Sequence, residues 1–317
     1  MKRIIFSLIA VAVIILIFVF CVPREHTQTD YAMNTVISVT VKSRDAKALS
    51  QKAISEVKRI DALMSTTLPE SDIYKINSAK AGTYVKVSDE TYGLIKMALM
   101  VSDKTDGAFD ITVNPLSEKW DFTSSNPKIP EKEDIEKLLR LVNYKDVLLN
   151  DTDKSVCLAK DGMSISLGAV AKGYAATRAM EILKQAEVKD AIIDLGGNIY
   201  ALGDKKIGIQ TPFKARGEYF TVCEVTDTSV VTSGAYERYF EENGKTYHHI
   251  IDPKTGYPAD TGIKSVTVIS EDSALADALS TAIFVSGTKR AEDILSGFKD
   301  AKAIILTKDG AIEHVGE

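Results

Sequence analysis

The chain has 317 residues, 45% hydrophobic and 26% charged, an ordinary globular composition that can bury a substantial core without disulfide staples. A formal net charge of -5 argues against nucleic acid as a partner, and no Walker A, HExxH, CxxC or His-rich zinc spacing is present. An anionic small molecule stays open, because one pocket or one metal can reverse the local field.

Lys2 and Arg3 precede an uncharged, mostly apolar run from Ile4 to Val22, long enough to cross the hydrocarbon core as a helix. The positive charges predict that the start stays in the cytoplasm and the rest lies outside. Cys21 offers a second reading, a lipidated lipoprotein cysteine, although Phe18, Val19 and Phe20 fit that pattern poorly. Either anchor puts the folded domain on the extracytoplasmic face of the cell membrane. Residues 1–23 are thus read as the anchor, 24–30 as a polar tether and 31–317 as one domain.

Residues 31–42 alternate like a strand. Residues 45–66 read as an amphipathic helix, with Ala48, Ile54, Val57, Ile60, Leu63 and Met64 near helical spacing. Helices near 70–78, 88–104 and 131–141 follow, with a polar proline-containing loop at 124–133. Short strands at 146–149 and 155–159 lead to a helix at 170–186. Strands then dominate, at 190–195, 198–202, 206–210, 218–226, 229–232, 246–251 and 264–270. A helix pair, 273–286 and 288–297, precedes a hairpin of 302–306 with 311–315. Strands with helices interspersed, without strict alternation, predict an α+β fold. Cys157 and Cys223 sit in apolar strand-like runs and read as small buried hydrophobes rather than a disulfide pair.

Chemistry-bearing residues concentrate in five stretches. In the helix at 273–286, Asp277 and Thr281 stand one turn apart, with Ser273 and Ser280 beside them. A carboxylate and a hydroxyl on one rigid element suit Mg²⁺, which takes few protein ligands and keeps room for water and phosphate; a solvated polar face is the alternative. In SLGAVAKGY, from Ser166, a turn leads into a helix whose start carries Lys172 and Gly173, a place where N–H groups attract phosphate. DLGGN, from Asp194, permits close backbone approach or a tight turn. In VTSGAYERY, Thr232 and Ser233 are small donors at a strand end, read as cofactor-binding contacts, and HHIIDPKTGYP sets His249 just before a fixed turn. Neighbouring strand residues face opposite ways, so at most one of His248 and His249 faces a given pocket. In GAFDITVNP, Phe109 together with Met33 can pack on a planar heterocycle, with Asp110 reaching its polar edge.

Taken together, these stretches resemble the ApbE-type FAD:protein FMN transferases. The matching wording is MNT, the Met64–Asn77 region, GAFDITVNPL, ISLGAVAKGYAATRA, AIIDLGGNIYALG, VVTSGAYERY, HHIIDPKTGYP and ADALSTAIFVSG, spread over residues 33–287. The resemblance implies a T-fold-like mixed β-sheet core with flanking helices. It also implies FAD as substrate, Mg²⁺, and FMN linked by a phosphoester to Thr or Ser of an acceptor flavoprotein such as a membrane redox-complex subunit. Metal ligands then fall on Asp277, Thr281 and the carbonyl of Ala169. Flavin contacts fall on Met33, Ala108, Phe109, Asp110, Lys172, His249 and Ile250. Where many relatives carry an aromatic after Met64-Ser65-Thr66, this chain has Thr67, which opens one flavin face to water. The reaction also needs a base for the acceptor hydroxyl, for which His249 is the first candidate and an acidic residue near the metal the second. A Mg²⁺-dependent FAD pyrophosphatase and a non-catalytic, membrane-tethered flavin carrier are the rival readings.

Overall fold

The structure, a computed structural model, describes residues 22–215 and 217–316. The anchor reading for residues 1–21, Cys21 included, lies outside the described residues. No helix among the described residues is long and apolar enough to cross a membrane.

In chain order the first elements are β1 (Arg24–Ala32), β2 (Thr35–Ser43), α1 (Ala46–Leu63), α2 (Asp72–Ser78), β3 (Val85–Lys86) and α3 (Asp89–Lys104). Then come α4 (Asn114–Trp120), α5 (Lys132–Leu139), β4 (Val147–Asn150), β5 (Ser155–Leu158) and α6 (Ala171–Gln185). The strand-rich region holds β6 (Ala191–Asp194), β7 (Asn198–Leu202), β8 (Asp204–Gln210), β9 (Tyr219–Thr226), β10 (Ser229–Gly234), β11 (Tyr239–Glu242), β12 (Lys245–His248) and β13 (Ile263–Ser270). The chain finishes with α7 (Ser273–Ser286), α8 (Ala291–Ser296), β14 (Lys302–Thr307) and β15 (Ile312–Val315).

An eight-stranded sheet, ordered β1-β2-β6-β7-β10-β13-β14-β15, carries the fold. The sheet is antiparallel at every pairing, a sharper picture than the mixed core expected from the sequence. Helices α1, α6 and α7 lie side by side on one face, over β1–β2, β6–β7 and β10–β13 respectively. The β8–β9 hairpin covers the other face, where Ile207, Ile209, Cys223 and Val225 pack on Ala201, Val230 and Ile304. The fold is therefore α+β, as the unordered mixture of periodicities implies. Cys157 and Cys223 are both free and buried.

Three sequence expectations change. Residues 24–30 are not a tether: they belong to β1, which pairs with β2 from Arg24↔Ser43 to Ala32↔Thr35. The stretch is polar at almost every position, so it lacks an apolar alternation, yet as an edge strand it needs only backbone pairing and partial cover. The strand read over 31–42 is interrupted at Met33 and Asn34, whose φ of 52° and 58° make the turn of this hairpin. In α1 the buried stripe starts at Ala46 and Ser50 and continues through Ile54, Val57 and Ile60, leaving Ala48 exposed.

A satellite cluster lies away from the sheet. Trp120 stacks on Phe122 and Tyr247 and meets Tyr257 edge-on. Its Nε1–H donates to the Gly256 carbonyl at 2.9 Å. Burying an aromatic group of this size fixes the 249–258 segment on α4 and α5 without regular structure in the segment itself.

Candidate active site

Helix α7 is apolar on nearly all sides, so it is buried rather than half-exposed. Asp277 is only 4% exposed, which removes the solvated-face alternative. A lone buried carboxylate is costly unless something compensates it. The backbone N–H of Gly173 donates to its Oδ2 at 3.0 Å. Burial raises the pKa of Asp277, against the pull of the Lys172 ammonium, the Gly173 N–H and the Asn198 amide. The Asn198 amide lies beside this carboxylate, although its buried Nδ2 falls short of a formed hydrogen bond.

Gly173 is what lets the start of α6 reach Asp277. A Cβ at this position would lie 2.1 Å from the Ser273 carbonyl oxygen and 2.7 Å from the Ala274 Cα, both backbone atoms. Only glycine permits that crossing of α6 and α7. The next residue back, Lys172, is half-buried and acts electrostatically on both Asp277 and His249. Ala169 is half-buried in the turn just before α6, whose Ala171 N–H donates to the Leu167 carbonyl.

Thr281, one turn on from Asp277, is half-buried, and its hydroxyl is 3.2 Å from that of Ser233. Ser233 also lies 2.7 Å from Ser280 Oγ. Strand alternation decides which β10 residue can do this. Val231 and Ser233 face the helices, whereas Val230 and Thr232 face the β8–β9 side. The Thr232 hydroxyl pairs with that of its cross-strand neighbour Thr267 at 2.9 Å, so it does not join the Asp277 group.

The remaining stretches are tied to this centre by backbone links. Gly196 packs so tightly on Thr35 that a Cβ would lie 2.2 Å from its hydroxyl oxygen, which joins DLGGN to the Met33-Asn34 turn. The Met33 N–H donates to Asp61 of α1 at 2.9 Å. The Thr232 N–H donates to the Gly197 carbonyl at 3.1 Å. The Ser166 N–H donates to the Ile111 carbonyl at 2.9 Å, joining the segment after Phe109 to the turn before α6. Ala108, Phe109 and Ile250 are buried. Asp110 is committed to the fold: Oδ1 accepts from the Thr112 N–H and hydroxyl, and Oδ2 accepts from the Tyr144 N–H. Burial raises its pKa, and those three donors oppose the rise.

The two adjacent histidines part as alternation requires. His248 is buried edge-on against Phe284, its Nε2 3.0 Å from the Ala259 carbonyl. His249 lies just past β12, which ends earlier than the expected 246–251 strand, and its N–H donates to the Arg238 carbonyl at 3.1 Å. Its Nδ1 is buried without a partner. Burial, then the nearby Arg238 and Lys172 charges, push its pKa down to about 3. Sequence reasoning singled out neither Arg238 nor Asn198. The period of β7 would have placed Asn198 on the helix face, where it accepts from Ser273 at 3.1 Å.

Asp277, Lys172 and His249 therefore share one region with the Thr281–Ser233 pair and the Met33 turn. A family model described as the ApbE family matches residues 33–305. The chain belongs to the ApbE family. It is 37% identical over 286 residues to a protein of Klebsiella pneumoniae (strain 342) called FAD:protein FMN transferase, covering 90% of each chain. A Treponema pallidum (strain Nichols) protein of the same name is 32% identical over 309 residues, with 90% of this chain and 85% of that one covered. Among solved structures, the ApbE protein of Thermotoga maritima superposes with a TM-score of 0.84 at 37% identity, covering 92% of this chain and 97% of that one. The apo flavinyl transferase ApbE of Pseudomonas stutzeri superposes at 0.80 with 25% identity, covering 92% and 95%. The ApbE match begins at Met33, the turn residue of the first hairpin, and takes in every site residue described above.

The donor set fits a magnesium ion. One buried carboxylate retains an oxygen, Oδ1, with no hydrogen-bond donor among the described contacts, and one hydroxyl lies a turn away. Among the described residues no group of three or more His, Cys, Asp or Glu side chains is gathered.

Proposed function

We infer that this chain is an FAD:protein FMN transferase, acting with Mg²⁺ and held at the extracytoplasmic face of the cell membrane by residues 1–23. The observation that carries the reading is the buried Asp277 carboxylate, set by Gly173 beside Lys172 and one turn from Thr281, in a chain of the ApbE family. Asp277, Thr281 and the Ala169 carbonyl would hold the cation. Bound there, it supplies charge neutralisation on the pyrophosphate oxygens of FAD.

The chain's own residues then divide the work. Lys172 adds a fixed positive charge at the start of α6, where phosphate is favoured. Met33, Ala108, Phe109 and Ile250 offer apolar surface for the isoalloxazine ring. The acceptor's Thr or Ser oxygen bonds to the FMN phosphorus as the bond from that phosphorus to the bridging oxygen breaks. AMP leaves with the electron pair, and the hydroxyl proton passes to a base. Burial, more than the Arg238 and Lys172 charges, keeps His249 neutral, and a bound pyrophosphate would offset only those smaller charge contributions to its lowered pKa. The acceptor is a flavoprotein presenting its Thr or Ser outside the cytoplasm, such as a subunit of a membrane redox complex.

Hydrolysis of FAD to FMN and AMP is the second reading, and one feature favours it as a side reaction. Thr67 is exposed where an aromatic would cover the flavin, so water has a route. Asp277→Ala tests the metal assignment. Loss of a charge-neutralising ligand is expected to lower Mg²⁺-dependent FAD turnover by about 100-fold or more with the fold intact by circular dichroism. Full turnover in the variant, or in the parent with excess EDTA, would overturn it.

A further inference from the structure

The hydroxyls of Ser280, Ser233 and Thr281 form a chain whose proton directions can be worked out from one fixed end. Ser280 Oγ is 2.9 Å from the Asp277 carbonyl oxygen, and a carbonyl can only accept, so the single Ser280 proton is spent there. Ser280 is fully buried, and its other neighbour is Ser233 Oγ at 2.7 Å. Ser233 must therefore donate to Ser280, which spends its own proton. The 3.2 Å contact between Ser233 and Thr281 can then exist only with Thr281 donating. The other acceptor near the Thr281 proton is the Asp277 carbonyl at 3.4 Å, which also lies within α7.

We propose that Ser233 is a positioning residue: by accepting the Thr281 proton, it turns the Thr281 lone pairs away from the α7–β10 seam and towards the cation. This rests on the metal reading above, and it assigns Ser233 to the support of a ligand rather than to the flavin. The direction matters because a hydroxyl ligates a hard cation through its lone pairs, and a proton turned outward would repel that cation. The fold secures the arrangement from two elements. Alternation along β10 puts Ser233, and not Thr232, on the helix face. The i,i+3 back-bond of Ser280 sets the sense of the chain from within α7. Outer partners of this kind hold ligands in orientation, and their loss typically costs about 10–100-fold in metal affinity.

The test is Mn²⁺ affinity, read from the free-ion EPR signal with FAD present and acceptor absent. Four proteins are compared: the parent, Ser233→Ala, Thr281→Val and the double variant, each with its thermal midpoint recorded. Ser233→Ala is expected to weaken Mn²⁺ binding about 10-fold in the parent and to change it by less than about 2-fold in the Thr281→Val background, since the residue it acts through is then absent. Equal losses in both backgrounds, or no loss in either, would overturn the proposal. Asp277→Ala is the control that separates the two ideas. If it binds Mn²⁺ as tightly as the parent, the metal site itself is misplaced and the Ser233 proposal falls with it. If it loses binding while Ser233→Ala keeps it, only the Ser233 proposal falls.

Discussion

His248 and His249 are neighbours in the chain with separate duties. Burial holds the His248 pKa at about 4, against an unperturbed value of 6.5, while its hydrogen bond to the Ala259 carbonyl pulls the other way. Between those values the folded protein binds fewer protons than the unfolded chain. Stability is therefore complete above pH 6.5 and is lost as pH falls towards 4, by up to about 3 kcal/mol from this group. His249, with its pKa near 3, pushes in the same direction. Urea denaturation from pH 7 down to pH 4 is expected to show falling stability, with a shallower fall in His248→Gln than in the parent. Identical slopes in the two proteins would contradict the assignment of His248 as a buried neutral group. Asp110 makes a related point about role: both its oxygens are used to fix the Ile111–Val113 turn and Tyr144, so it supports the Phe109 segment from beneath.

Between α6 and α7 the geometry depends on one missing methyl group. Gly173→Ala would place a Cβ 2.1 Å from the Ser273 carbonyl oxygen, and backbone cannot step aside as a flexible side-chain end can. The helices must separate, at a cost of about 1–3 kcal/mol, and the Gly173 N–H would leave Asp277. A lower denaturation midpoint together with reduced FAD turnover is expected; a variant as stable and active as the parent would show that the crossing is not needed. The elements that the sequence made legible are those with strong periodicity. The apolar recurrence of α7 exposed both its span and the Asp277–Thr281 pair, and the turn-to-helix wording around Gly173 located the start of α6. The edge strand β1 was hidden because its cover is partial and its residues are polar. The commitment of Asp110 was hidden because the donor that closes its second oxygen lies at Tyr144, far along the chain. Thr232 was within reach of the sequence, since period-two alternation alone sets it opposite to Ser233.

At the scale of the whole molecule, β1 is paired from Arg24 onward, so the folded domain starts directly after the apolar N-terminal run rather than after a loose tether. Under the proposed anchoring, a domain held this closely would meet acceptors confined to the same membrane surface, and confinement would raise their effective concentration without tight affinity. The proposed transfer requires the site to accept a polypeptide hydroxyl in preference to water, with Thr67 exposed to solvent. One measurement tests that claim most directly. The full chain in membranes or detergent is incubated with FAD, Mg²⁺ and a flavoprotein domain bearing a threonine acceptor, and the products are resolved by mass spectrometry. The expected result is an acceptor heavier by one FMN on that threonine, with AMP released in equal amount. FAD consumed to free FMN and AMP while a competent acceptor stays unmodified would contradict the transferase reading and leave the pyrophosphatase in its place.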